Sequence, residues 1–345
     1  MPAEWEPHEA TWIAWPHNRE DWPGKFHPIS WVYADIVRHL VRGELVRIIV
    51  NDSAHQRAAE QTLKMAHVEL QRVEFFRWRT DRVWTRDSGP IFITNQAREV
   101  GATLWRFNAW AKYSDYKHDE KLGAAIATKL GIRSWQPEIA VAGKSRRLVL
   151  EGGSIDVNGQ GSLLTTEECL LSDVQQRNPN VAREQLEKTF ADYLGITNVI
   201  WLGRGIAGDD THGHIDDIAR FVSPHTVVMA VEANSEDPNH EPLQDNVRRL
   251  RAARDQNGKP LNIVELPLPA PVWHRGQRLP ASYANFYIAN QCVLVPTFND
   301  VNDRVALNIL SGLFPDREVV SIYCRDFIWG LGAVHCATQQ QPGIS

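Results

Sequence analysis

The chain has 345 residues, of which 43% are hydrophobic and 13 are tryptophan, which is ample for a sizeable buried core. Its formal net charge of −5 is not gathered into blocks of like charge, which argues against nucleic acid as a partner. The N-terminal segment lacks the basic start and apolar core of a signal peptide, and no apolar run approaches the ~18 residues that a membrane span needs. We therefore expect a cytoplasmic protein with no membrane partner.

Five amphipathic helices are predicted along the chain, each starting at or near a residue type that caps helices. They begin near Ser53, Asp119, Asn180, Glu241 and Asn302, at intervals of 61 to 66 residues. A short apolar strand follows each helix, at residues 73–76, 147–150, 198–201, 263–266 and 319–322. A period of this length indicates one α/β unit that is stacked or closed on itself. Because the repeat continues from about residue 45 to the C-terminus without a linker, we predict one catalytic domain over residues 1–345.

Equivalent turns of the five units carry residues that hydrolytic chemistry can use. After each strand comes a polar or glycine-rich turn, and these turns hold Asp87, Glu151, His214, Asn285 and Cys336. If the five units close around an axis, the five turns meet at the centre and form one small pocket. The last interval, from Asn285 to Cys336, is only 51 residues, so the fifth unit is shortened and its equivalence is looser.

One of the four cysteines stands out by its surroundings. No two of them are spaced as C-x-x-C, which argues against a zinc ribbon or a redox pair. Cys169, Cys292 and Cys324 lie in or beside apolar strands, where a small buried hydrophobe is the favoured interpretation. Cys336 instead follows the glycine-rich segment 330–332 and precedes polar amides, which suits close approach to a ligand.

His212, His214 and Asp216 form an H-x-H-x-D pattern. On a strand, residues two apart share a face, so all three side chains would point the same way. That arrangement permits either a zinc site or an acid/base pair that faces a pocket. The pattern lacks the histidine directly after the aspartate, and the downstream ligands, of metallo-β-lactamase-like hydrolases. This difference favours the interpretation without metal.

A thiol, an imidazole and several carboxylates, without a metal, indicate chemistry on a cation. Carboxylates would repel the oxyanion of an ester or amide intermediate, but they pair bidentately with the planar N–H groups of a guanidinium. A guanidinium fixed between two carboxylates exposes its central carbon to a thiolate. A neighbouring histidine can then protonate the departing ammonia and activate water. The pattern therefore favours guanidine hydrolysis over a protease triad.

Seven segments resemble the agmatine deiminase and Porphyromonas-type peptidyl-arginine deiminase family, in that family's order and over nearly the whole chain. They are residues 1–9 (MPAEWEPHE), 12–16 (WIAWP), 84–90 (WTRDSGP), 151–155 (EGGSI), 213–217 (GHIDD), 283–290 (YANFYIAN) and 335–340 (HCATQQ). The family belongs to the guanidine-modifying superfamily of penteins. The resemblance therefore implies an α/β fold of the pentein type, a five-fold pseudosymmetric propeller of repeated strand-helix-strand-strand units.

The resemblance also implies a role for each residue of the set. Cys336 would be the nucleophile and His214 the general acid/base, oriented by Glu151. Asp87 and Asp216 would hold the guanidinium between them. The implied reaction converts agmatine and water into N-carbamoylputrescine and ammonia, a step towards putrescine and other polyamines, with no cofactor and no metal.

Two positions depart from the pattern of the family. Leu331 interrupts what is commonly a Gly-Gly-Gly stretch, and it would narrow or re-angle the approach to Cys336. His212 stands where agmatine deiminases usually carry a small Asn or Asp, close to the expected position of the substrate tail. Neither departure replaces a residue to which the resemblance assigns a role in hydrolysis. The sequence therefore defines the reaction class better than the substrate.

The sequence does not decide which small cationic guanidine is the substrate. Agmatine would need a carboxylate or an aromatic face for its distal ammonium, for which Asp210 and Trp84 are the candidates, with Asn285 as a further substrate contact. Free arginine would need a cation for its α-carboxylate, which Arg86 or Arg204 would supply. A peptidyl-arginine substrate, a zinc hydrolase built on the histidine pattern and a non-catalytic binding protein stay open as alternatives. Self-association into a homo-oligomer also stays open.

Overall fold

The structure, a computed structural model, describes residues 1–141 and 143–343. It is a mixed α/β arrangement of short sheets and helices. Within these ranges the helices are α1 (Phe26–Leu40), α2 (Ser53–Met65), α3 (Thr85–Ser88), α4 (Leu122–Leu130), α5 (Glu167–Leu171), α6 (Arg183–Leu194), α7 (His240–Ala252) and α8 (Val301–Leu313). The strands are β1 (His8–Ala14), β2 (Leu45–Val50), β3 (Val73–Arg77), β4 (Ile91–Thr94), β5 (Val100–Thr103), β6 (Arg133–Trp135), β7 (Glu138–Val141), β8 (Lys144–Arg147), β9 (Asp156–Val157), β10 (Ser162–Thr166), β11 (Asn198–Leu202), β12 (Ala219–Ser223), β13 (Thr226–Val231), β14 (Asn262–Pro267), β15 (Val272–His274), β16 (Gln277–Leu279), β17 (Tyr287–Ile288), β18 (Cys292–Thr297), β19 (Glu318–Tyr323) and β20 (Gln339–Pro342). None of the helices in the described ranges is long and apolar enough to cross a membrane.

One strand pattern recurs in five sheets: an antiparallel pair, a helix, and a third strand that pairs parallel to the second. Four of these sheets are continuous in the chain, namely β4–β5–β6, β9–β10–β11, β12–β13–β14 and β17–β18–β19. In the fifth, the C-terminal β20 pairs antiparallel to the N-terminal β1, which pairs parallel to β2, and β3 adds a further strand. Central strands such as β13 are almost wholly buried, which explains their continuous apolar sequence.

The five predicted helices are confirmed as α2, α4, α6, α7 and α8, and a 3₁₀ turn at Asp119–Lys121 precedes α4. Local chemistry explains where they begin and end. Asp52 caps α2 by accepting hydrogen bonds of 2.8 Å from two backbone N–H groups of its first turn. Gly131 and Gly195 end α4 and α6 in the left-handed region, with φ of 64° and 70°.

Four of the five predicted strands are confirmed, and the one at residues 147–150 is wrong. In that sheet β6 is the strand that pairs parallel, and β7 and β8 form a separate hairpin. Beyond the hairpin, Val149 makes only an isolated bridge to Arg106. Residues 148–150 are buried because they lead into the interior at Glu151, so their apolar character reflects burial and not strand pairing. The first predicted unit is also placed wrongly, because the helix between the second and third strands of that sheet is α1, which joins β1 to β2, whereas the predicted α2 leads to the additional strand β3.

The five turns that carry the candidate residues lie at equivalent places in the five sheets. Asp87 lies in α3, directly before β4. Glu151 and His214 each precede a 3₁₀ turn that leads into β9 and β12 respectively. Asn285 precedes β17 and Cys336 precedes β20. The predicted equivalence of these positions is confirmed, since each turn leads into an antiparallel pair.

A buried carboxylate, Glu4, ties several of these turns together. Its Oε1 accepts hydrogen bonds from Arg220 and from the backbone N–H of Ile288, both at 2.8 Å. Its Oε2 accepts hydrogen bonds from His335 Nε2 at 2.8 Å and from Arg86 at 3.2 Å. Burial alone would raise the pKa of Glu4, but Arg220, His335 and Arg86 outweigh it and hold that pKa well below its usual range. We call these five residues the Glu4 hub.

An aromatic cluster supports the segment that carries Cys336. Trp22 stacks on Phe327 at 5.7 Å between ring centroids and donates a 2.7 Å hydrogen bond to the Phe327 carbonyl. A Cβ at Gly330 would lie 2.7 Å from the Trp22 ring, and one at Gly332 would lie 2.8 Å from the Trp84 ring. The two glycines are therefore needed for close packing against tryptophan rings, where the sequence suggested close approach to a ligand.

The Glu4 hub predicts a stability effect. Glu4→Gln keeps the shape of the side chain but leaves Arg86 and Arg220 buried with less negative charge, so unfolding should become easier by about 3 kcal/mol or more. Urea unfolding followed by circular dichroism measures this change. The matched control is Glu9→Gln, which alters an exposed side chain of the same segment and should stay within about 0.5 kcal/mol. Equal losses in the two variants would contradict the role of the hub.

Candidate active site

A cavity of about 420 Å³ opens beside the turns that precede β4 and β20. Asp87 and Cys336 contribute to its wall from those two turns, and Trp84 and Trp110 contribute aromatic rings. The rest of its lining is largely polar and includes Asp21, Arg82, Tyr113, Asp210 and Arg275. A cavity of this size and composition suits a small polar ligand.

The Cys336 thiol lies at the cavity wall and is 7% exposed. The Asn285 side-chain amide donates a hydrogen bond to its sulfur at 3.1 Å, and Asp216 Oδ2 lies 3.7 Å from the same atom. Burial raises the pKa of the thiol well above its usual value, and the negative charges of Asp216, Asp217 and Asp87 raise it further. The sulfur is therefore held as a thiol while no cation balances these charges.

The His214 imidazole lies among carboxylates without a hydrogen bond to either ring nitrogen. Its Nδ1 is 3.9 Å from both Asp87 Oδ2 and Asp216 Oδ1, and its Nε2 is 3.7 Å from Glu151 Oε2. Burial alone would lower the pKa of His214, but Asp87, Cys169 and Glu151 outweigh it and raise that pKa well above its usual value. His214 is therefore a proton donor at neutral pH.

Glu151 is held in place by a cation on its far side. Arg177 Nε donates a 3.1 Å hydrogen bond to Glu151 Oε1, and both side chains are fully buried. Burial alone would raise the pKa of Glu151, but Arg177 and His214 outweigh it and lower that pKa to about 2. The second oxygen, Oε2, has no partner and faces His214. Glu151 can therefore orient the imidazole and stabilise its charged form.

Two further carboxylates, Asp87 and Asp216, approach His214 from its Nδ1 side. Asp87 accepts hydrogen bonds from Trp110 Nε1 at 2.9 Å and from the Gly153 backbone N–H at 3.0 Å. Burial, with Asp216 and Glu151, raises the pKa of Asp87 to about 6, although His214 opposes this shift. Asp216 Oδ2 accepts a 2.7 Å hydrogen bond from His335 Nδ1, and its Oδ1 has no partner.

Burial would raise the pKa of Asp216, but His335 and His214 outweigh it, so that pKa lies below its usual value. Each nitrogen of the His335 ring faces a carboxylate oxygen, of Asp216 on one side and of Glu4 on the other. Asp216 is therefore a charged carboxylate with one oxygen committed to His335 and one free.

Gly153 marks the point where the charged side chains converge. A Cβ at this position would lie 2.7 Å from His214 Nδ1, 2.9 Å from Asp87 Oδ1 and 3.0 Å from Asp216 Oδ2. No side chain fits between these three groups. The Glu-Gly-Gly motif alone predicts only a turn. In the structure, its second glycine is needed because the site is too crowded for a side chain there.

Trp110 also lines the cavity, and the sequence did not indicate that it would. Ala109, Trp110 and Ala111 all have positive φ, of 49°, 57° and 54°, in the left-handed region that favours glycine. This strained turn directs the indole N–H of Trp110 to Asp87. No residue type in the segment signals such a turn, so only the folded chain reveals it.

Two of the predicted substrate contacts have other partners in the structure. Asn285 is fully buried, and its amide is occupied by Cys336, Asp217 and the backbone of His335, so it supports the sulfur and does not face the cavity. Asp210 does line the cavity, but Lys112 and the Tyr113 hydroxyl occupy its two oxygens. Trp84 lines the cavity as predicted.

The two arginines considered for an α-carboxylate lie elsewhere. Arg86 is buried in the Glu4 hub, and Arg204 is exposed and does not line the cavity. The option that either one contacts a substrate at this cavity, which the sequence left open, is therefore not supported. The cation that does line this cavity on its exposed side is Arg275, and no sequence motif marks it.

The H-x-H-x-D pattern does not form the predicted strand. His212 has a φ of 64°, and Asp216 lies in the 3₁₀ turn at Ile215–Asp217. The His212 ring contacts the Ser172 hydroxyl at 3.2 Å, so it points away from Asp216 and His214. The zinc site of His212, His214 and Asp216, which the sequence left as a less favoured alternative, is therefore not assembled in the described part of the chain. His212 also does not line the cavity, so its departure from the family pattern lies away from the expected substrate tail.

Cys169 is buried as predicted, but its thiol adjoins the site. Its sulfur, a Glu151 oxygen and a His214 nitrogen lie within 4.8 Å of one another, which makes these three residues the group in the described part of the chain that could hold a metal ion. Leu331, the other departure, lines the cavity with a φ of 66°, a conformation that strains a residue with a Cβ.

Comparison with known proteins agrees with this arrangement. The sequence matches the family of Porphyromonas-type peptidyl-arginine deiminases over residues 1–342. It is 33% identical to an agmatine deiminase of Pseudomonas aeruginosa (strain LESB58), over 99% of this chain and 95% of that protein.

Solved structures are similar over the same length. Agmatine deiminase of Enterococcus faecalis superposes with a TM-score of 0.89 at 30% identity, covering 99% of this chain and 95% of that one. Agmatine deiminase of C. jejuni superposes with a TM-score of 0.84 at 28% identity, with the same coverage of both chains. Since sequence and fold agree over almost the whole chain, the protein belongs to the Porphyromonas-type peptidyl-arginine deiminase family.

Proposed function

We propose that the protein is an agmatine deiminase, a hydrolase that converts the guanidinium of agmatine into the urea group of N-carbamoylputrescine and releases ammonia. The observation that carries this proposal is the set of buried, unpartnered atoms around Cys336. The carboxylate oxygens among them are Asp216 Oδ1 and Glu151 Oε2. Buried polar atoms are rarely left without partners, so a ligand rich in N–H groups and positive charge is expected between them.

The proposal includes a closed, five-fold ring of the pentein type. Five sheets with one strand pattern support it, as does the pairing of the C-terminal β20 with the N-terminal β1. A ring of this kind explains how turns that are far apart in sequence supply Asp87, Glu151, His214 and Cys336 to one site.

In the proposed complex the guanidinium lies between Asp87 and Asp216, with its central carbon over the Cys336 sulfur. Two carboxylates match the planar N–H groups of a guanidinium and orient it. The bound cation also offsets the negative charges that raise the pKa of the thiol, so binding promotes loss of the thiol proton to solvent. Substrate binding and formation of the nucleophile are thereby coupled.

The reaction then proceeds through a covalent intermediate. The Cys336 thiolate attacks the central carbon and forms a C–S bond, and the His214 imidazolium donates its proton to one nitrogen as the C–N bond breaks and ammonia leaves. The resulting S-alkylthiouronium cation is held by the same carboxylates. Neutral His214 next takes a proton from water, whose oxygen attacks that carbon. Collapse breaks the C–S bond and expels the Cys336 thiolate, which takes up the hydroxyl proton as the urea carbonyl forms, and N-carbamoylputrescine leaves.

Free arginine is the second candidate substrate. The exposed Arg275 at the cavity wall favours it, because a guanidinium cation there can pair with an α-carboxylate. The carboxylates Asp21 and Asp210 of the same wall oppose it. The balance of charge favours agmatine, which carries two cations and no carboxylate.

A substrate panel tests the proposed function. Agmatine, arginine and an arginyl peptide are incubated with the protein, with and without a chelator, and ammonia and ureido products are quantified. Agmatine should have the highest kcat/KM, and the chelator should not change it. Absence of ammonia from every guanidine would refute a deiminase, and loss of activity on chelation would indicate a metal at Glu151, Cys169 and His214.

The nucleophile is tested by Cys336→Ser, which should lower kcat by roughly 10³-fold or more because an alkoxide is far harder to form than a thiolate. Intact-mass measurements on quenched reactions should show one substrate-derived adduct on the wild type and none on the variant. Cys292→Ala is the matched control, because Cys292 is buried in β18 and does not line the cavity. Robust turnover by Cys336→Ser would refute the covalent mechanism.

Removing one of the negative charges around the Cys336 thiol should lower the pKa of that thiol. Asp87→Asn removes one of the negative charges that raise the pKa of Cys336, so the thiolate should form about one to two pH units lower. The rate of alkylation of Cys336 by iodoacetamide, a neutral reagent, measures this midpoint. Glu20→Gln, an exposed change at the cavity wall, should leave the midpoint in place. An unchanged or higher midpoint in Asp87→Asn would show that the carboxylate does not act on the sulfur.

A further inference from the structure

Asp21 is a buried carboxylate in the wall of the same cavity that holds Cys336. Its side chain is 3% exposed. Oδ1 accepts a 2.7 Å hydrogen bond from Arg82, whereas Oδ2 is buried and has no partner. A buried carboxylate oxygen without a donor is costly, which indicates that a donor arrives with a ligand.

The other carboxylates of the outer wall lack this combination. Asp210 has both oxygens occupied, by Lys112 and by the Tyr113 hydroxyl. Glu20 is exposed, so water satisfies it. Asp21 is therefore the carboxylate of this outer wall that is shielded from solvent and has an oxygen without any hydrogen-bond donor.

Packing places Asp21 close to the reacting end of the cavity. Its neighbour Trp22 packs against Gly330 and, at 5.9 Å between ring centroids, against Trp84. Trp84 in turn packs against Gly332, whose Cβ would lie 3.2 Å from the Cβ of Cys336. Two tryptophan rings thus separate the Asp21 turn from the Cys336 segment. Asp21, Trp84 and Cys336 all line the same cavity, so one small ligand can contact all three.

We infer that Asp21 accepts the distal ammonium of agmatine and so selects guanidines that carry a second cation at the end of a short alkyl chain. The inference rests on the proposed function, and it replaces Asp210, which the sequence suggested for this role. The chain of methylenes would lie against Trp84, and the ammonium would donate to the free Oδ2. Arginine would bring its α-carboxylate towards the same oxygen and be repelled.

The charge state of Asp21 agrees with this role. Burial raises the pKa of Asp21 to about 6, and Asp115 and Glu20 add to the shift, whereas Arg82 opposes it. The carboxylate is thus ionised at neutral pH, since its charge is present above that pKa and is lost below it. A bound ammonium would stabilise the charged form further.

The test compares two substrates that differ only at the distal end. Butylguanidine is agmatine without its amine, so it keeps the reacting group and the alkyl chain. In Asp21→Asn, kcat/KM for agmatine should fall roughly 10- to 100-fold, as expected for loss of a charged hydrogen bond, and kcat/KM for butylguanidine should change less than about threefold. Turnover of butylguanidine by the variant also shows that the variant is folded.

The matched control is Asp115→Asn. Asp115 also pairs with Arg82, at 3.2 Å, but it does not line the cavity. Asp115→Asn therefore disturbs Arg82 in the same way without changing the free oxygen, and it should affect the two substrates alike. Selective loss of agmatine turnover in this control would assign the effect to Arg82 and overturn the inference.

The remaining outcomes separate the inference from the proposed function. Equal losses for both substrates in Asp21→Asn would overturn the inference while agmatine hydrolysis by the wild type still stands. A selective loss in Asp210→Asn but not in Asp21→Asn would restore Asp210 to the role. If the wild type hydrolyses neither agmatine nor butylguanidine, the proposed function fails before Asp21 is tested.

Discussion

The site depends on an excess of buried negative charge around one thiol. Asp87, Asp216 and Glu151 surround His214; Arg177 balances the charge of Glu151 from its far side, and the single imidazolium does not neutralise the other two. Burying unbalanced charge is costly, so the empty site is poised to accept a cation. The same charges suppress ionisation of Cys336, which protects the thiol until a cation arrives. Affinity for a guanidinium and control of the nucleophile are thus two consequences of one electrostatic arrangement.

The charged side chains are held by partners on their far sides. Arg177 fixes Glu151 through a hydrogen bond of 3.1 Å. His335 joins Asp216 to Glu4, and Glu4 is in turn bound by Arg86 and Arg220. Glu151 and Asp216 therefore each rest on a nitrogen donor that lies on the side away from His214. Support of this kind keeps reacting groups in place without occupying the atoms that the chemistry needs.

The repeat and the reacting residues could be predicted from the sequence, because both depend on local patterns. Helix caps and apolar strands recur at a regular interval, and the turns between them carry Asp87, Glu151, His214 and Cys336 at equivalent places. The prediction of a strand at residues 147–150 was wrong, because a segment that is apolar only because it enters the interior has the same sequence pattern as a buried strand. The prediction that His212 and Asp216 lie on the same face of a strand was also wrong. The positive φ at His212 belongs to a turn, and no strand forms there.

The partners of the reacting groups could not be predicted, because they join distant parts of the chain. Glu4 and His335 are 331 residues apart, and Trp110 reaches Asp87 only through three successive left-handed residues. Asp210 and Asp21 are both acidic residues near the predicted site, and sequence alone does not say which is already paired. That distinction requires the contacts with Lys112, Tyr113 and Arg82, which the fold creates.

The coupling between cation binding and thiolate formation is tested most directly by ultraviolet difference absorbance. An alkyl diamine, in which an ammonium replaces the guanidinium, binds without being hydrolysed and is added to the free protein at neutral pH. The charge balance described here predicts a rise in thiolate absorbance in the wild type and none in Cys336→Ser. An unchanged thiolate signal with the diamine bound, as shown by competition with agmatine, would contradict the account.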